Sequence, residues 1–179
     1  ISINLKSEKI SSTNSINRIA AENILSPNNN PLSNNTAFDG FAILSRETKG
    51  LSKKKIKKFK ILKTIAAGDD PEIKNYKKNS VVEIMTGGII PKHYDSILPV
   101  ERAKFFPSNK RPTHLMVGEK IKKFSHLRFK GEDYKKKDII IKKGELIKPK
   151  HLMAFTSLGV KKVLVKKKPK IIFFSTGNE

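Results

Sequence analysis

Phe59-Lys60-Ile61-Leu62-Lys63-Thr64-Ile65-Ala66-Ala67-Gly68-Asp69-Asp70-Pro71 is the stretch whose reading decides the fold. Phe59, Ile61 and Ile65 stand at even spacing with Lys60 and Thr64 between them, the pattern of a strand with one buried face. Gly68-Asp69-Asp70-Pro71 then stops it as a turn. Working outward, Val82 and Ile84 alternate with Glu83, and Phe41–Leu44, Ser96–Val100, Leu115–Val117 and Ile139–Ile141 read as further strands. Gly87–Gly88, Gly131 and Gly144 punctuate them. Many short strands between regular turns predict a compact β domain of sandwich or barrel type over about 36–145. The run Lys53–Lys58 reads as an exposed loop or a strand edge, where charge blocks unwanted pairing.

The two ends of the chain read differently. Ile16, Ile19, Ala20 and Ile24 fall on one face of a helix predicted over 13–25, with Ser12 or Thr13 as cap and Pro27 as stop. Leu152, Phe155 and Leu158 predict a second helix over 149–158, with Pro149 in its first turn and Gly159 as its C-terminal cap. Val163–Val165 is a short strand. Lys170–Phe174 reads as a continuously apolar strand of the kind buried on both faces of a parallel sheet. Thr176 and Glu179 after it have capping-box spacing, which predicts the opening of an α/β unit. The fold class expected is α+β, mainly β.

The chain has 179 residues, 37% of them hydrophobic, and no Cys. Disulfides, thiolate metal sites and cysteine nucleophiles are therefore excluded. No run approaches the roughly 18 apolar residues of a membrane helix, and no secretory leader is evident, so the expectation is a cytoplasmic protein with no membrane partner. The first residue is Ile1 rather than Met, which suggests a trimmed start. The net charge is +22, yet only five of the 38 basic residues are Arg. A basic β-barrel module binding RNA or another polyanion is the alternative this charge supports. Arg-poor, Lys-rich chemistry favours a solvated surface with no specific nucleic-acid partner.

Several segments carry chemistry. In Asn34-Asn35-Thr36-Ala37-Phe38-Asp39-Gly40-Phe41-Ala42, small polar residues precede one carboxylate, so Asp39 is either an exposed holder of a hard cation or water, or part of a plain Asp-Gly turn. In Glu83-Ile84-Met85-Thr86-Gly87-Gly88, a strand ends in a hydroxyl and two glycines, either an anion cradle or a glycine turn. Asp95-Ser96-Ile97-Leu98-Pro99-Val100-Glu101 has a carboxylate at each end, and Arg128-Phe129-Lys130-Gly131-Glu132-Asp133 reads as a salt-bridged turn. His93, His114, His126 and His151 lack metal-ligand spacing and read as surface or packing residues.

Taken in order, these segments resemble the amino-terminal region of the MoeA and gephyrin E-domain family, the molybdopterin molybdenumtransferases. Its Asn-Ser-Ala-Met-Asp-Gly-Tyr-Ala is matched by Asn35 through Ala42, its Ala-Ala-Gly by Ala66-Ala67-Gly68, and its Ile-Met-Thr-Gly by Ile84-Met85-Thr86-Gly87 with Pro91 following. Asp95–Glu101, Arg128–Asp133 and the terminal Ser175-Thr176-Gly177-Asn178-Glu179 match three further motifs. The resemblance implies an enzyme that inserts molybdate into adenylylated molybdopterin with help from Mg²⁺. It implies a homodimer sharing its site between subunits, and a molybdopterin adenylyltransferase as partner. Carried over by motif, Asp39, Thr86 and Glu179 are the catalytic residues, with Asp39, Thr86 and Gly87 contacting cofactor and Asp39 and Glu179 contacting metal. Asn178 stands where the family has Asp, and Phe129 and Lys130 stand where it has a basic pair. The domains implied are 1–27 with 141–169 as an elongated linker and dimerisation domain, 28–140 as a β-rich domain, and 170–179 as the stub of an α/β domain. The pterin-binding core belongs mostly to that α/β domain, so this chain by itself is expected to be inactive.

Overall fold

The computed structural model describes residues 5–177. In chain order its strands are β1 (Ser7–Ser11), β2 (Ile24–Leu25), β3 (Asn35–Thr36), β4 (Gly40–Ile43), β5 (Lys57–Ile65), β6 (Ser80–Ile84), β7 (Ser96–Pro99), β8 (Lys104–Phe106), β9 (His114–Val117), β10 (Leu127–Arg128) and β11 (Ile139–Ile141). The helix α1 (Pro149–Leu158) and strand β12 (Lys162–Lys166) follow. The chain is mainly β, as expected. It divides into one unit made of Ile1–Asn30 with Asp133–Glu179 and another made of Pro31–Glu132.

The Pro31–Glu132 unit is a mixed six-stranded sheet in the order β7-β4-β6-β5-β9-β8 that curls into half a barrel. Only β5 and β6 run parallel, with Lys60 opposite Ser80 and Ile65 opposite Ile84, and the register shifts between Ile61 and Thr64. One face packs Phe41, Phe59, Val81, Leu98, Leu115 and Val117. The other packs Ala42, Ile65, Val82, Ile84 and Ile97 against Ile90 and Tyr94. With both faces covered, β4 and β7 are buried along their whole length, which is why they read as apolar runs rather than alternating ones. The lysine run splits. Lys53, Lys54 and Lys55 form an exposed turn closed by the Ser52 N–H on the Lys55 carbonyl at 3.1 Å, whereas Lys57 and Lys58 enter β5 inside the sheet, not at its edge.

The other unit pairs β1 with β12 and β2 with β11, and packs α1 on them through Phe155 and Leu158 against Ala20, Ile147, Val163 and Val165. α1 forms over the predicted residues. Gly159 ends it at φ 74°, a left-handed cap that costs glycine little. Its start is held by His151, whose Nδ1 accepts the Lys148 N–H at 3.0 Å. Burial first, then neighbouring Lys150, holds that imidazole below its usual pKa, and the acceptor role needs the neutral ring.

The helix predicted over 13–25 does not form. Only Ser12–Asn14 make a 3₁₀ turn, and the chain continues irregularly to β2. Asn17 takes the left-handed conformation at φ 62°, which breaks a helix. The N–H groups of Asn17, Ala20 and Ala21 donate to Ile147, Glu145 and Leu164 carbonyls at 2.9, 3.0 and 2.9 Å. Ser, Asn and β-branched Ile are weak helix formers, so distant backbone acceptors win. Ala20 and Ile24 are buried as the spacing implied, but Ile16 and Ile19 are half-exposed. The apolar strand predicted at Lys170–Phe174 is likewise not paired: Ile171 to Phe174 are exposed without secondary structure. A strand buried on two faces needs neighbours on both edges, and the described residues offer none. No helix among the described residues is long and apolar enough to cross a membrane.

Candidate functional site

The two parallel strands β5 and β6 end side by side, and so their following loops, Ala66–Asp69 and Met85–Gly88, lie together. The Met85 N–H donates to the Ile65 carbonyl at 2.9 Å, and a Cβ on Gly87 would sit 3.3 Å from the Ala67 Cβ. β4 runs antiparallel between β6 and β7, with Gly40 opposite both Ile84 and Pro99. That register brings Asp39, the residue before β4, to the same end of the sheet as Thr86. The Val100 N–H, just past β7, fixes the Asp39 carbonyl at 3.0 Å.

Asp39 and Thr86, separated by 47 residues, meet. The Thr86 N–H donates to Asp39 Oδ1 at 2.7 Å and the Thr86 hydroxyl donates to the same oxygen at 2.8 Å. Both residues are exposed. The Thr86 amide, and then its hydroxyl, hold the Asp39 carboxyl below the usual carboxylate range, against a smaller upward push from burial. The sign follows from the lowered value. The contribution to stability is present above the ordinary carboxylate pKa of about 3.9 and is lost as pH falls through the lower folded value. Oδ2 carries no hydrogen bond among the described residues. The arrangement therefore presents one oriented, ionised oxygen to solvent.

The loop before β4 is clamped. The Thr36 hydroxyl accepts the Phe38 N–H at 3.0 Å and donates to the Phe38 carbonyl at 2.7 Å, so residues 36–39 form a closed hydroxyl turn. The loop after β6 is equally self-satisfied. Gly87, at φ 83°, donates its N–H to the Thr36 carbonyl at 2.9 Å, and Gly88 donates to the Met85 carbonyl at 2.8 Å. With Thr86 bonded to Asp39, the three amides expected to cradle an anion all point to protein acceptors. An incoming oxyanion would have to displace Asp39, Thr36 or Met85. Thr86 here orients a carboxylate.

Mg²⁺ takes oxygen ligands and keeps several waters, so one or two carboxylates and a substrate phosphate suffice to hold it. Asp39 fits such a role: exposed, ionised at neutral pH and with one oxygen uncommitted. Among the described residues no group of three or more His, Cys, Asp or Glu side chains forms a closed metal cage. Glu179 and Asn178 lie outside the described residues.

The remaining predicted segments are structural. Asp95 accepts the Ser45 N–H at 2.7 Å on one oxygen and the Ser45 hydroxyl at 2.9 Å on the other, capping the 3₁₀ turn Ser45–Thr48. In Arg128–Asp133 the expected salt-bridged turn is instead closed by Glu132, whose carboxylate accepts the Phe129 N–H at 2.7 Å. The turn docks on the clamped loop through the Lys130 N–H on Asn34 Oδ1 at 2.8 Å. An open groove of about 790 Å³ runs past Asn34, Ile89, Pro91, Tyr94, Phe124 and Lys130, but neither Asp39 nor Thr86 lines it. Sequence reasoning missed the Thr36 clamp, although a Thr two residues before Phe38 is the signal for it. It also missed the contact of Phe38 with His126, which no local pattern announces.

Thr86→Val should release Asp39, and NMR titration should then place the Asp39 carboxyl back in the ordinary carboxylate range. Thr86→Ser should keep it low. An unmoved titration in the valine variant would mean that Thr86 does not hold the carboxylate.

Comparison with known proteins adds three findings. A family model described as the MoeA N-terminal region (domain I and II) matches residues 2–159. A molybdopterin molybdenumtransferase of Staphylococcus epidermidis is 29% identical over 177 residues, 99% of this chain and 41% of the relative. One from Staphylococcus aureus is 30% identical over 165 residues, 92% of this chain and 38% of the relative. Among solved structures, the molybdopterin biosynthesis moeA protein from Pyrococcus horikoshii superposes with a TM-score of 0.82 at 25% identity, covering 92% of this chain and 42% of that one. The chain thus spans about two fifths of the length of the relatives it matches.

Proposed function

The chain belongs to the MoeA N-terminal region family, homologous to molybdopterin molybdenumtransferase and so at home in molybdenum cofactor biosynthesis, and on that premise we propose that it supplies the cation-holding half of a molybdenum-insertion site. The substrates are adenylylated molybdopterin and molybdate. The observation that carries the reading is the Asp39–Thr86 pair, in which two donors from one motif fix a carboxylate from another. Asp39 holds Mg²⁺ through its free oxygen, and the ion neutralises charge on the phosphoryl oxygens as the adenylyl group leaves. Thr86 and Gly87 keep the loop in place beneath it. Any contact of Thr86 with an oxyanion follows only if it lets go of Asp39. Glu179 is proposed for the cation or substrate shell on its motif alone. The full enzyme is proposed to be a cytoplasmic homodimer that shares its site between subunits and receives substrate from a molybdopterin adenylyltransferase. This chain alone lacks the remainder of the relatives' length and is proposed to be inactive by itself. Family membership leaves the polyanion-binding alternative resting on charge alone.

The test is turnover by the complete protein carrying this chain. Given adenylylated molybdopterin, molybdate and Mg²⁺, it should release AMP and load molybdenum, and EDTA should abolish both. Absence of Mg²⁺-dependent AMP release would overturn the reading.

A further inference from the structure

Beside Asp39 stands an exposed ring with no role in the core. Phe38 is 45% exposed, although its backbone is among the most tightly held in the unit, with both its N–H and its carbonyl bonded to the Thr36 hydroxyl. A hydrophobic side chain on a rigid, solvent-facing turn is one that the fold presents rather than buries. His126 backs it edge-on, with ring centroids 5.0 Å apart and planes at 76°. In a T-shaped pair one ring gives its edge and the other its face, so whichever way the pair is turned His126 leaves at least one face of Phe38 uncovered.

The loop that brings His126 there is strained. Phe124 and His126 both adopt left-handed backbone conformations, at φ 66° and 59°. Bulky side chains avoid this region, and strain of this kind persists only where surrounding contacts impose it. Those contacts are present. The Phe124 N–H donates to the Asp95 carbonyl at 2.9 Å and lies 3.1 Å from Ser96 Oγ, while the Ser125 carbonyl accepts the Ile97 N–H at 3.0 Å. Phe124 in turn packs edge-on against Phe129 at 5.4 Å, with the Lys123 ammonium 4.7 Å from its ring. The loop is thus fixed to β7 at its base while its aromatic side chains face outward.

We infer that Phe38, backed by His126, is a stacking platform for the planar heterocycle of a phosphate-bearing substrate whose cation-bound phosphate lies at Asp39. This rests on the cation-holding role given to Asp39 above. Phe38 and Asp39 are consecutive residues, with Cα atoms about 3.8 Å apart, so one ligand spans both. A bicyclic purine or pterin suits the ring face, and lysines at 122, 123 and 130 suit its phosphate. Base-on-aromatic stacking tolerates any flat heterocycle, so the platform selects for a ring without reading its edge.

The experiment is a calorimetric titration of the protein carrying this chain, with Mg²⁺ present, by AMP, neopterin monophosphate and ribose 5-phosphate. The last has the sugar phosphate without the ring. At least one of the two heterocyclic ligands should bind about ten-fold more tightly than ribose 5-phosphate, and which one does so identifies the half of the substrate that stacks. Phe38→Leu should erase that advantage and leave ribose 5-phosphate binding unchanged, while Phe38→Tyr should keep it. Equal affinity for all three ligands, no binding by any of them, or a Phe38→Leu loss shared equally by ribose 5-phosphate would overturn the platform. If Asp39→Asn weakens every phosphate ligand while Phe38→Leu changes none, the cation site stands and the platform alone falls.

Discussion

Replacing Asp39 by Asn should lower molybdenum insertion by the complete protein by roughly 100-fold or more while leaving the fold in place. The two substitutions of interest here, carboxylate for amide and charge for neutrality, separate cleanly at this position. Asn keeps an Oδ1 that can still accept the Thr86 N–H and hydroxyl, now at 2.7 and 2.8 Å from the carboxylate. What disappears is the negative charge that the free oxygen presents to a cation. A metal ion that neutralises a leaving phosphoryl group contributes several kcal/mol, and each 1.36 kcal/mol is about a factor of ten in rate. Stability should change little, within about 0.5 kcal/mol, because the side chain is exposed. The measurement is AMP release against Mg²⁺ concentration, with a thermal melt as control. Turnover within about threefold of the parent, with the same Mg²⁺ dependence, would remove Asp39 from the mechanism.

The Gly40→Val variant should fail in the opposite way, through the fold. β4 threads between β6 and β7, and any Cβ at Gly40 would lie 2.3 Å from the Leu98 carbonyl oxygen, 3.0 Å from the Pro99 Cα and 3.1 Å from a methyl of Ile97. Two of those three atoms are backbone and cannot rotate aside. Relief would require β7 to separate from β4, opening the register that runs from Gly40–Pro99 to Ile43–Ser96. Overpacking of this kind costs about 3 kcal/mol, or roughly 6–12 °C in melting temperature for a chain of this size. The Asp39 carbonyl, bonded to Val100 just past β7, would move with it. A melt within about 1 °C of the parent would show that the sheet yields here more easily than its register implies.

What could be read from the sequence depended on whether the deciding contacts were local. The strands with an apolar pattern, such as β5, β6 and β9, follow from a few residues each. So does α1, whose proline start and glycine stop are both local signals. The failures share one cause. In 13–25 the residues have a helical apolar spacing, but their amides find acceptors at Glu145, Ile147 and Leu164, and no window of neighbouring residues shows that competition. β1 was missed because Ser7–Ser11 has a single apolar residue, Ile10, and becomes a strand only by pairing with β12. β8 is the outer strand beyond β9 and carries one polar and two aromatic residues, too short a pattern to read. At the site, the motif residues Asp39 and Thr86 were legible as candidates, but not that Thr86 gives both its donors to Asp39. That depends on β4 lying against β6, which is a fact of topology.

The pairing of β1 with β12, with Ser7 opposite Lys166, has a consequence for the order of folding. The unit that contains it is assembled from the two ends of the chain, whereas Pro31–Glu132 is contiguous. The junction is narrow: the Asn30 N–H donates to the Tyr134 carbonyl at 2.7 Å, and the Asp133 N–H returns to the Asn30 carbonyl at 2.9 Å. The half-barrel can therefore form as soon as its own residues have left the ribosome, while the end-to-end unit must wait for β12. Once the half-barrel is folded, it acts on its host as a short staple, replacing a long flexible loop by a closed neck. Loop-closure entropy rises by about 0.6 kcal/mol per doubling of loop length, so the inserted unit lowers the entropic barrier for the unit it interrupts. Damage to the half-barrel core would then be felt as slow closure of a β-sheet to which it contributes no strand.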